Sequence, residues 1–337
     1  MIRIGVMSFA HPHAEGYVEN VRAIPEAELV GAADTDRTRG EHHAARLGLR
    51  LWPTYEDLLA QQLDGVIVCS ENARHRPHVE IAARAGAHIL CEKPLATTLT
   101  DARAMIEACA QGEVNLMPAF PMRFNAPLLE VKRALDDGRL GDLSCCVTTN
   151  QGQNPGRRRH WFVDKELAGG GAVMDHTVHL VDMLRWFLRS EVVEVYAQTT
   201  DLLPGGNTEV ETGGLILLTF ANGVFATIDC SWSRPASFPT WGGLTMEFVG
   251  GRGVLSVDAF RQNLMIYPER SPGVTMRNWG SDANQAMIAE FVTAIRERRN
   301  PAVTGLDGYR ALEVVVAAYE SARAGQPVHL PHQSLRD

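Results

Sequence analysis

Ile2, Ile4 and Val6 alternate with Arg3 and Gly5, the period-two pattern of a strand with one apolar face. One rhythm then holds for the first third of the chain. Glu15–Ile24 has helical spacing and stops at Pro25. Ala27–Asp34 is an apolar run ending in a carboxylate, and Thr38–Leu47 is helical with Gly48 closing it. A short helix over 55–62, a buried strand over Leu63–Ser70 and a helix over Pro77–Ala85 come next. A strand over His88–Glu92, a helix over Leu99–Ala110 and a strand over 113–120 complete the series. Near-continuous apolar strands separated by amphipathic helices specify an α/β domain with a doubly wound parallel sheet.

After Phe120–Phe124 the alternation stops. Pro127–Asp137 and Gly171–Leu188 read as helices. Six strand-like runs follow, at 191–200, 212–220, 223–232, 244–250, 253–260 and 263–269. Asn222-Gly223, between two apolar runs, is the signature of a tight hairpin. Consecutive strands with short turns predict an open, mostly antiparallel sheet in a C-terminal α/β domain. Ala283–Arg298 and Gly308–Ala324 close the chain as helices. The division expected is 1–122 for the first domain and 123–337 for the second, a length that suits two cores.

Composition narrows the function. With 45% apolar and 21% charged residues the chain reads as a soluble globular protein. A net charge of -8 argues against a nucleic-acid partner, and no run is long and apolar enough for a membrane span. The first residues lack the basic-then-apolar order of a secretory signal and read as strand one. Six cysteines form no C-x-x-C pair, and Cys69 and Cys91 lie in apolar runs, which points to a reducing, cytoplasmic setting.

The stretch GVMSFAHPHAEGY (5–17) stands where a nucleotide-binding loop normally shows G-x-G-x-x-G. Ser8, Ala10 and His13 replace the glycines. Ser8 and Ala10 are small enough for a phosphate to approach the helix start, and the Ser8 hydroxyl could donate to it. Asp34 ends the second strand about twenty residues on, where a carboxylate accepts the hydroxyls of an adenosine ribose. This favours NAD, with NADP as the alternative if Arg37 or Arg39 faces a 2′-phosphate. The plainer reading of Asp34 is a helix N-cap.

The most specific stretch is AGAHILCEKPLATTLTDA (85–102). With VIVCSENARHRPHVEIAARAG (66–86), GRLGDL (138–143), GGGAVMDHTVHLVDMLRWF (169–187) and the closing ALEVVVAAYESARAGQPVHLP (311–331), it resembles the glucose–fructose oxidoreductase/inositol dehydrogenase (Gfo/Idh/MocA) family over nearly the whole chain. The resemblance implies a Rossmann domain and nicotinamide-dependent oxidation or reduction of sugars, polyols or related carbonyls. It makes Lys93 the catalytic lysine and Asp175 and His179 the active-site pair. The cofactor residues expected are Ser8, Phe9, Ala10 and His11 of the loop, Asp34, then Ser70, Asn72 and His75, then Glu92 and Lys93. The substrate residues expected are Lys93, Arg123, Trp161, Asp175, His176 and His179. The chain departs from the family at Ser8 and Ala10, at Ser70-Glu71-Asn72 (commonly Thr/Ser-Pro-Asn), and at Pro121, where Asn is frequent.

Chemistry read from the residues reaches the same groups. Lys93 ends a strand at the carboxyl edge of an open sheet, where ligands bind, and an ammonium there stabilises charge developing on oxygen. The alternative is a surface lysine at a strand end. Asp175 and His179, four apart on a helix, share a face, and Asp182 continues it. An imidazole suits removal of an alcohol proton; the alternative is a helix-surface pair. The expected meeting of Lys93 with His179 is across an interdomain cleft. His75 is read equally as a packing or capping residue. No metal is expected: His11, His13, His176 and His179 have ligand-like spacings, but no H-E-x-x-H occurs and hydride transfer needs no Lewis acid. The run Arg157–His160 reads as a solvated loop, or else as a surface for an acidic or phosphorylated sugar.

The function expected is transfer of a hydride between NAD(P) and a secondary hydroxyl or carbonyl of a sugar, polyol or cyclitol. The competing functions are a glycoside hydrolase or lyase with transient oxidation and a non-catalytic nucleotide-binding regulator. A homodimer or homotetramer formed through the C-terminal sheet is expected, because strands outnumber the helices able to cover them.

Overall fold

The computed structural model describes residues 1–202, 208–238, 240–261, 263–266, 275–278, 280 and 281–330. The first six strands and their helices are β1 (Ile2–Met7), α1 (Ala14–Arg22), β2 (Ala27–Ala33), α2 (Arg37–Leu47), β3 (Leu51–Trp52), α3 (Tyr55–Leu59), β4 (Gly65–Val68), α4 (His75–Arg84), β5 (His88–Cys91), α5 (Leu99–Gln111) and β6 (Leu116–Pro118). The strands form one parallel sheet in the order β3-β2-β1-β4-β5-β6. That order reverses direction between β1 and β4, which opens a crevice at the carboxyl ends of those two strands. The expected doubly wound fold is present. β3, two residues long, is too short to show a period in the sequence.

The remaining elements are α6 (Ala126–Asp136), β7 (Leu143–Gln153), α7 (Lys165–Ala168), α8 (Ala172–Leu188), β8 (Val192–Thr200), β9 (Gly213–Phe220), β10 (Phe225–Arg234), β11 (Gly242–Gly250), β12 (Gly253–Asp258), β13 (Asn263–Ile266), β14 (Thr275–Asn278), α9 (Ala283–Glu297), α10 (Gly305–Ala324) and β15 (Val328–His329). Seven strands form a mixed sheet in the order β12-β11-β7-β10-β9-β8-β15. Only the β7–β10 pair is parallel. β7, which residue spacing does not announce, runs through the sheet between β11 and β10. Its LSCCVTTNQGQ is too polar to look buried, yet its backbone is satisfied on both sides by neighbours. The run expected as a sixth strand of this sheet instead pairs as β13 with β14, and its residues 267–269 lie outside the described set.

The chain divides into two compact units. The first takes Met1–Pro121, Arg158–Gly169 and Ala283–Leu312; the second takes residues 122–157, the described part of 170–282, and 313–330. A two-segment division at 122/123 therefore needs correction: 158–169 and 283–312 pack with the first unit. The reason for the second of these lies in α9. It buries Met287, Ile288, Phe291 and Val292, and it packs against α1 and β1. Phe291 and Ile295 come so close to Gly65 that a Cβ there would meet them at 3.0 and 2.9 Å. A parallel sheet needs both faces covered, and a distant segment supplies the cover.

In the second unit, α8 packs on β7, β9 and β10. Among the described residues, the opposite face of the sheet carries exposed apolar side chains. Val147, Thr227 and Leu217 stand side by side across β7, β10 and β9 in this register, with Phe225 and Leu215 one step along on the same face. Leu215 is 64% exposed and Val254, on edge strand β12, 61%. No helix among the described residues is long and apolar enough to cross a membrane.

Candidate functional site

Ser8 follows β1 with φ 75°, the left-handed conformation that a glycine normally supplies there. A non-glycine residue adopts it at a cost of roughly 1–2 kcal/mol. Its buried hydroxyl offsets this by accepting from the N–H of Ala10 (3.2 Å) and from Arg39 Nη2 (3.2 Å). The rest of the loop is also internally bonded. The N–H of Ser8 donates to Ala33 O, Phe9 to Asp34 Oδ2, His11 to Cys69 O and His13 to His11 Nδ1. Backbone donors that a glycine-rich loop turns toward phosphate are thus spent on the protein. The Phe9 ring stacks on His43, 5.0 Å between centroids.

Asp34 is the organiser of this edge. Its Oδ2 accepts from Phe9 N (2.8 Å) and Arg39 Nε (2.8 Å); its Oδ1 accepts from Asp36 N (2.9 Å) and Arg39 Nη2 (2.7 Å). Four donors fill the four lone-pair sites of a carboxylate. The N-cap of α2 is Asp36, which accepts from Arg39 N, so the capping alternative for Asp34 is set aside. Arg37 points away and pairs with Glu41. Arg39 also reaches Glu71 at 3.4 Å, and Glu71 stands where the family commonly has proline.

At the next strand ends, Ser70, Asn72 and His75 separate into different roles. The Asn72 Nδ2 donates to Ala168 O (2.9 Å), while its buried Oδ1 has no donor among the described residues. Ser70 is fully buried and hydrogen-bonded to His78. His75, expected at the cofactor, is fully buried, with Nδ1 on the carbonyls of Pro94 and Leu95 and Nε2 facing that of Ser70. Burial lowers its pKa and keeps the ring neutral. Its Nδ1–H ties the start of α4 to the turn after β5, and full burial keeps the ring away from a ligand. This is the packing alternative.

Glu92, fully buried after β5, accepts from the N–H of Lys93 through Oε2 (3.0 Å). Its Oε1 lies 2.9 Å from His13 Nδ1 and 3.3 Å from His11 Nδ1. Burial pushes the Glu92 carboxyl up. The imidazoles of His11 and His13 and the Lys93 ammonium outweigh it and hold the group well below the ordinary carboxylate range. The three side chains offer ligand atoms within 4.8 Å of one another, close enough for a metal ion; here His13 Nδ1 bonds to Glu92, and His11 Nδ1, 3.3 Å from Glu92, accepts from the His13 N–H. Their effect is to lock the backbone that carries Lys93, which is itself buried and precedes a cis-proline peptide. Trp161, expected in the second domain, belongs to the first unit. It donates from Nε1 to Ala10 O (3.1 Å) and stacks on Phe162, which in turn lies 5.4 Å from His11.

In the second unit Asp175 and His179 sit one turn apart on α8. Asp175 Oδ2 accepts from Trp232 Nε1 (3.2 Å) and lies 3.1 Å from His176 Nε2, while His176 Nδ1 donates to Asn150 O (2.7 Å). Asp175 is therefore anchored directly by Trp232 of β10 and, through His176, by Asn150 of β7, two residues that the sequence did not single out. Asp182 does not extend the reactive stripe. It forms a bidentate pair with Arg123 at 2.7 and 2.9 Å, buried on both sides. This corrects the substrate role expected for Arg123, whose guanidinium also lies over Trp186. Breaking such a pair typically costs about 3–5 kcal/mol.

The triple glycine before α8 has a physical cause. A Cβ on Gly170 would lie 2.0 Å from Tyr319 Oη, and one on Gly171 would lie 1.9 Å from Glu211 O. Glu211 Oε1 accepts from the N–H of Gly171 and Val173, at 2.9 and 3.0 Å, and Tyr319 donates to it at 2.8 Å. These two residues fix the start of the helix that carries Asp175. The glycine run was the signal for them, though it does not say which residues approach.

Comparison with known proteins gives the family of both halves of the chain. Residues 3–120 match the family described as "Oxidoreductase family, NAD-binding Rossmann fold", and residues 128–256 match the "GFO/IDH/MocA C-terminal domain". The D-apiose dehydrogenase of Paraburkholderia graminis is 29% identical, over 98% of this chain and 88% of its own. The myo-inositol 2-dehydrogenase of Thermotoga maritima is 26% identical over 98% of both. Among solved structures, GenD2 from gentamicin A biosynthesis, in complex with NAD, superposes with a TM-score of 0.90 at 26% identity. That match covers 98% of this chain and 96% of GenD2.

Proposed function

Because the chain belongs to the Gfo/Idh/MocA family of oxidoreductases, we propose that it interconverts a secondary hydroxyl and a carbonyl on a sugar, polyol or cyclitol, with NAD as its cofactor. The observation that carries the reading is Lys93. A buried ammonium-bearing residue stands at the carboxyl end of β5, on a backbone locked by Glu92, His11 and His13. The cofactor fits the residues present: Asn72 Oδ1 is a buried acceptor with no donor among the described residues, and Asp34 offers the carboxylate suited to a ribose. Since Asp34 is saturated, ribose hydroxyls reach it only by exchange, and Arg39 is the side chain able to leave. A carboxylate at this position favours NAD over NADP.

When bound, the nicotinamide supplies the hydride acceptor or donor. Of the chain's own groups, His179 takes the hydroxyl proton on an imidazole nitrogen, the general-base role that this ring commonly fills. Lys93 donates to the same oxygen and stabilises the charge that develops on it. Asp175, anchored by Trp232 and His176, holds a substrate hydroxyl. Titration is expected to show NADH binding tighter than about 1 mM. A panel of sugars and polyols is expected to give NADH absorbance for at least one member. Glycoside cleavage without net NADH would mark the hydrolase reading instead, and absence of dinucleotide binding would overturn the proposal.

The open face of the seven-stranded sheet extends the proposal to assembly. Val147, Leu215, Leu217, Phe225 and Val254 leave an apolar surface that a second copy can cover. Light scattering at micromolar concentration is expected to give at least a dimer. Leu215→Lys with Phe225→Lys is expected to shift it toward monomer, and a monomeric parent protein sinks the idea.

A further inference from the structure

Arg159 lies in a run of three arginines that reads as solvated loop. Arg157 and Arg158 are indeed exposed, but Arg159 is half-buried. Its segment, 158–169, packs into the first unit and is fastened to the nucleotide edge at several points. Trp161 donates to Ala10 O, Phe162 lies against His11, and Ala168 O accepts from Asn72.

Arg159 is a cation without a carboxylate partner among the described residues. Its Nε is buried with no acceptor, and Nη1 makes one long bond, 3.4 Å, to Arg158 O on the exposed side. Burial, and then the charges of Arg39 and Arg46, depress its pKa. Both neighbours are already committed, Arg39 to Asp34 and Glu71, Arg46 to Glu15. A half-buried guanidinium whose buried Nε has no acceptor among the described residues, in the field of two further cations, is an arrangement that an anion completes. The loop beside it needs such help: each backbone N–H from Ser8 to His11, and that of His13, already has a protein acceptor.

We infer that Arg159 is a binding residue for a phosphate of the adenosine half of the cofactor, supplying from outside the Rossmann sequence the donor that its loop has spent. The inference rests on the cofactor reading above. A guanidinium fork matches phosphoryl oxygens, and the phosphate is either the diphosphate bridge common to both dinucleotides or the 2′-phosphate of NADP alone.

The test is calorimetric titration of NADH and NADPH into the full-length protein and its Arg159→Met and Arg159→Lys variants, with melting temperature as folding control. Loss of a charge-assisted bond is expected to weaken binding by about ten- to a hundredfold in Arg159→Met, and less in Arg159→Lys. Equal loss for both dinucleotides supports the diphosphate, and loss confined to NADPH supports the 2′-phosphate. If the parent protein binds and Arg159→Met binds both dinucleotides as tightly, the inference is overturned while the cofactor reading stands. If the parent protein binds neither, both fall. Because Arg159 is half-exposed and bonded to one carbonyl, the variant should fold; if Arg159→Met melts early, Arg159→Lys binding as the parent does, with unchanged salt dependence, also overturns it.

Discussion

Lys93→Met and His179→Ala are each expected to lower kcat by about a hundredfold or more while NADH affinity stays near that of the parent protein. The two groups are proposed to serve one oxygen, the first by stabilising charge on it and the second by taking its proton. Effects of groups that act as a unit do not add. The double variant is therefore expected to be scarcely slower than either single one. Affinity should hold because the proposed cofactor contacts are made by Asp34, Asn72 and Arg159, which both variants keep. Near-normal kcat in both single variants would remove these residues from the active site. Strict additivity in the double variant would show that they serve different steps.

Asp34→Ala is expected to cost about 3 kcal/mol of stability and to weaken NADH binding more than about tenfold. The side chain is fully buried, and its loss strands four donors: the N–H groups of Phe9 and Asp36 and two of the Arg39 guanidinium. The uncompensated Arg39 charge is the larger part of that cost. Asp34→Ala combined with Arg39→Ala should then recover stability relative to Asp34→Ala alone, but not affinity. Urea denaturation and titration measure the two separately. An Asp34→Ala protein as stable as the parent would show that the network adds nothing to folding.

Both expectations concern residues that stand out in the amino-acid sequence. The apolar runs ending at Met7, Asp34, Ser70 and Glu92 put Ser8, Asp34, Asn72 and Lys93 on one sheet edge, because the carboxyl ends of parallel strands share a side. Helical spacing likewise put Asp175 and His179 on one face. Where expectation failed, a side chain had two plausible uses and only its neighbours chose. His75 lies at the right edge, yet three carbonyls claim its ring. Arg123 is a cation near candidate substrate residues, yet Asp182, 59 residues away, takes its fork.

The amino-acid order was enough for most elements and for the shared edge. Alternation and helical spacing are local properties of a chain, fixed by which side each residue faces, and the glycine-poor loop was plain at Ser8 and Ala10. What each group at the edge is free to do came from the folded arrangement. Whether Asp34 has a lone pair to spare, whether Arg159 is solvated, and which unit holds Trp161 all depend on contacts between segments far apart in the chain. A buried donor or acceptor is satisfied by whatever the fold brings within about 3 Å, and sequence spacing carries no record of that distance.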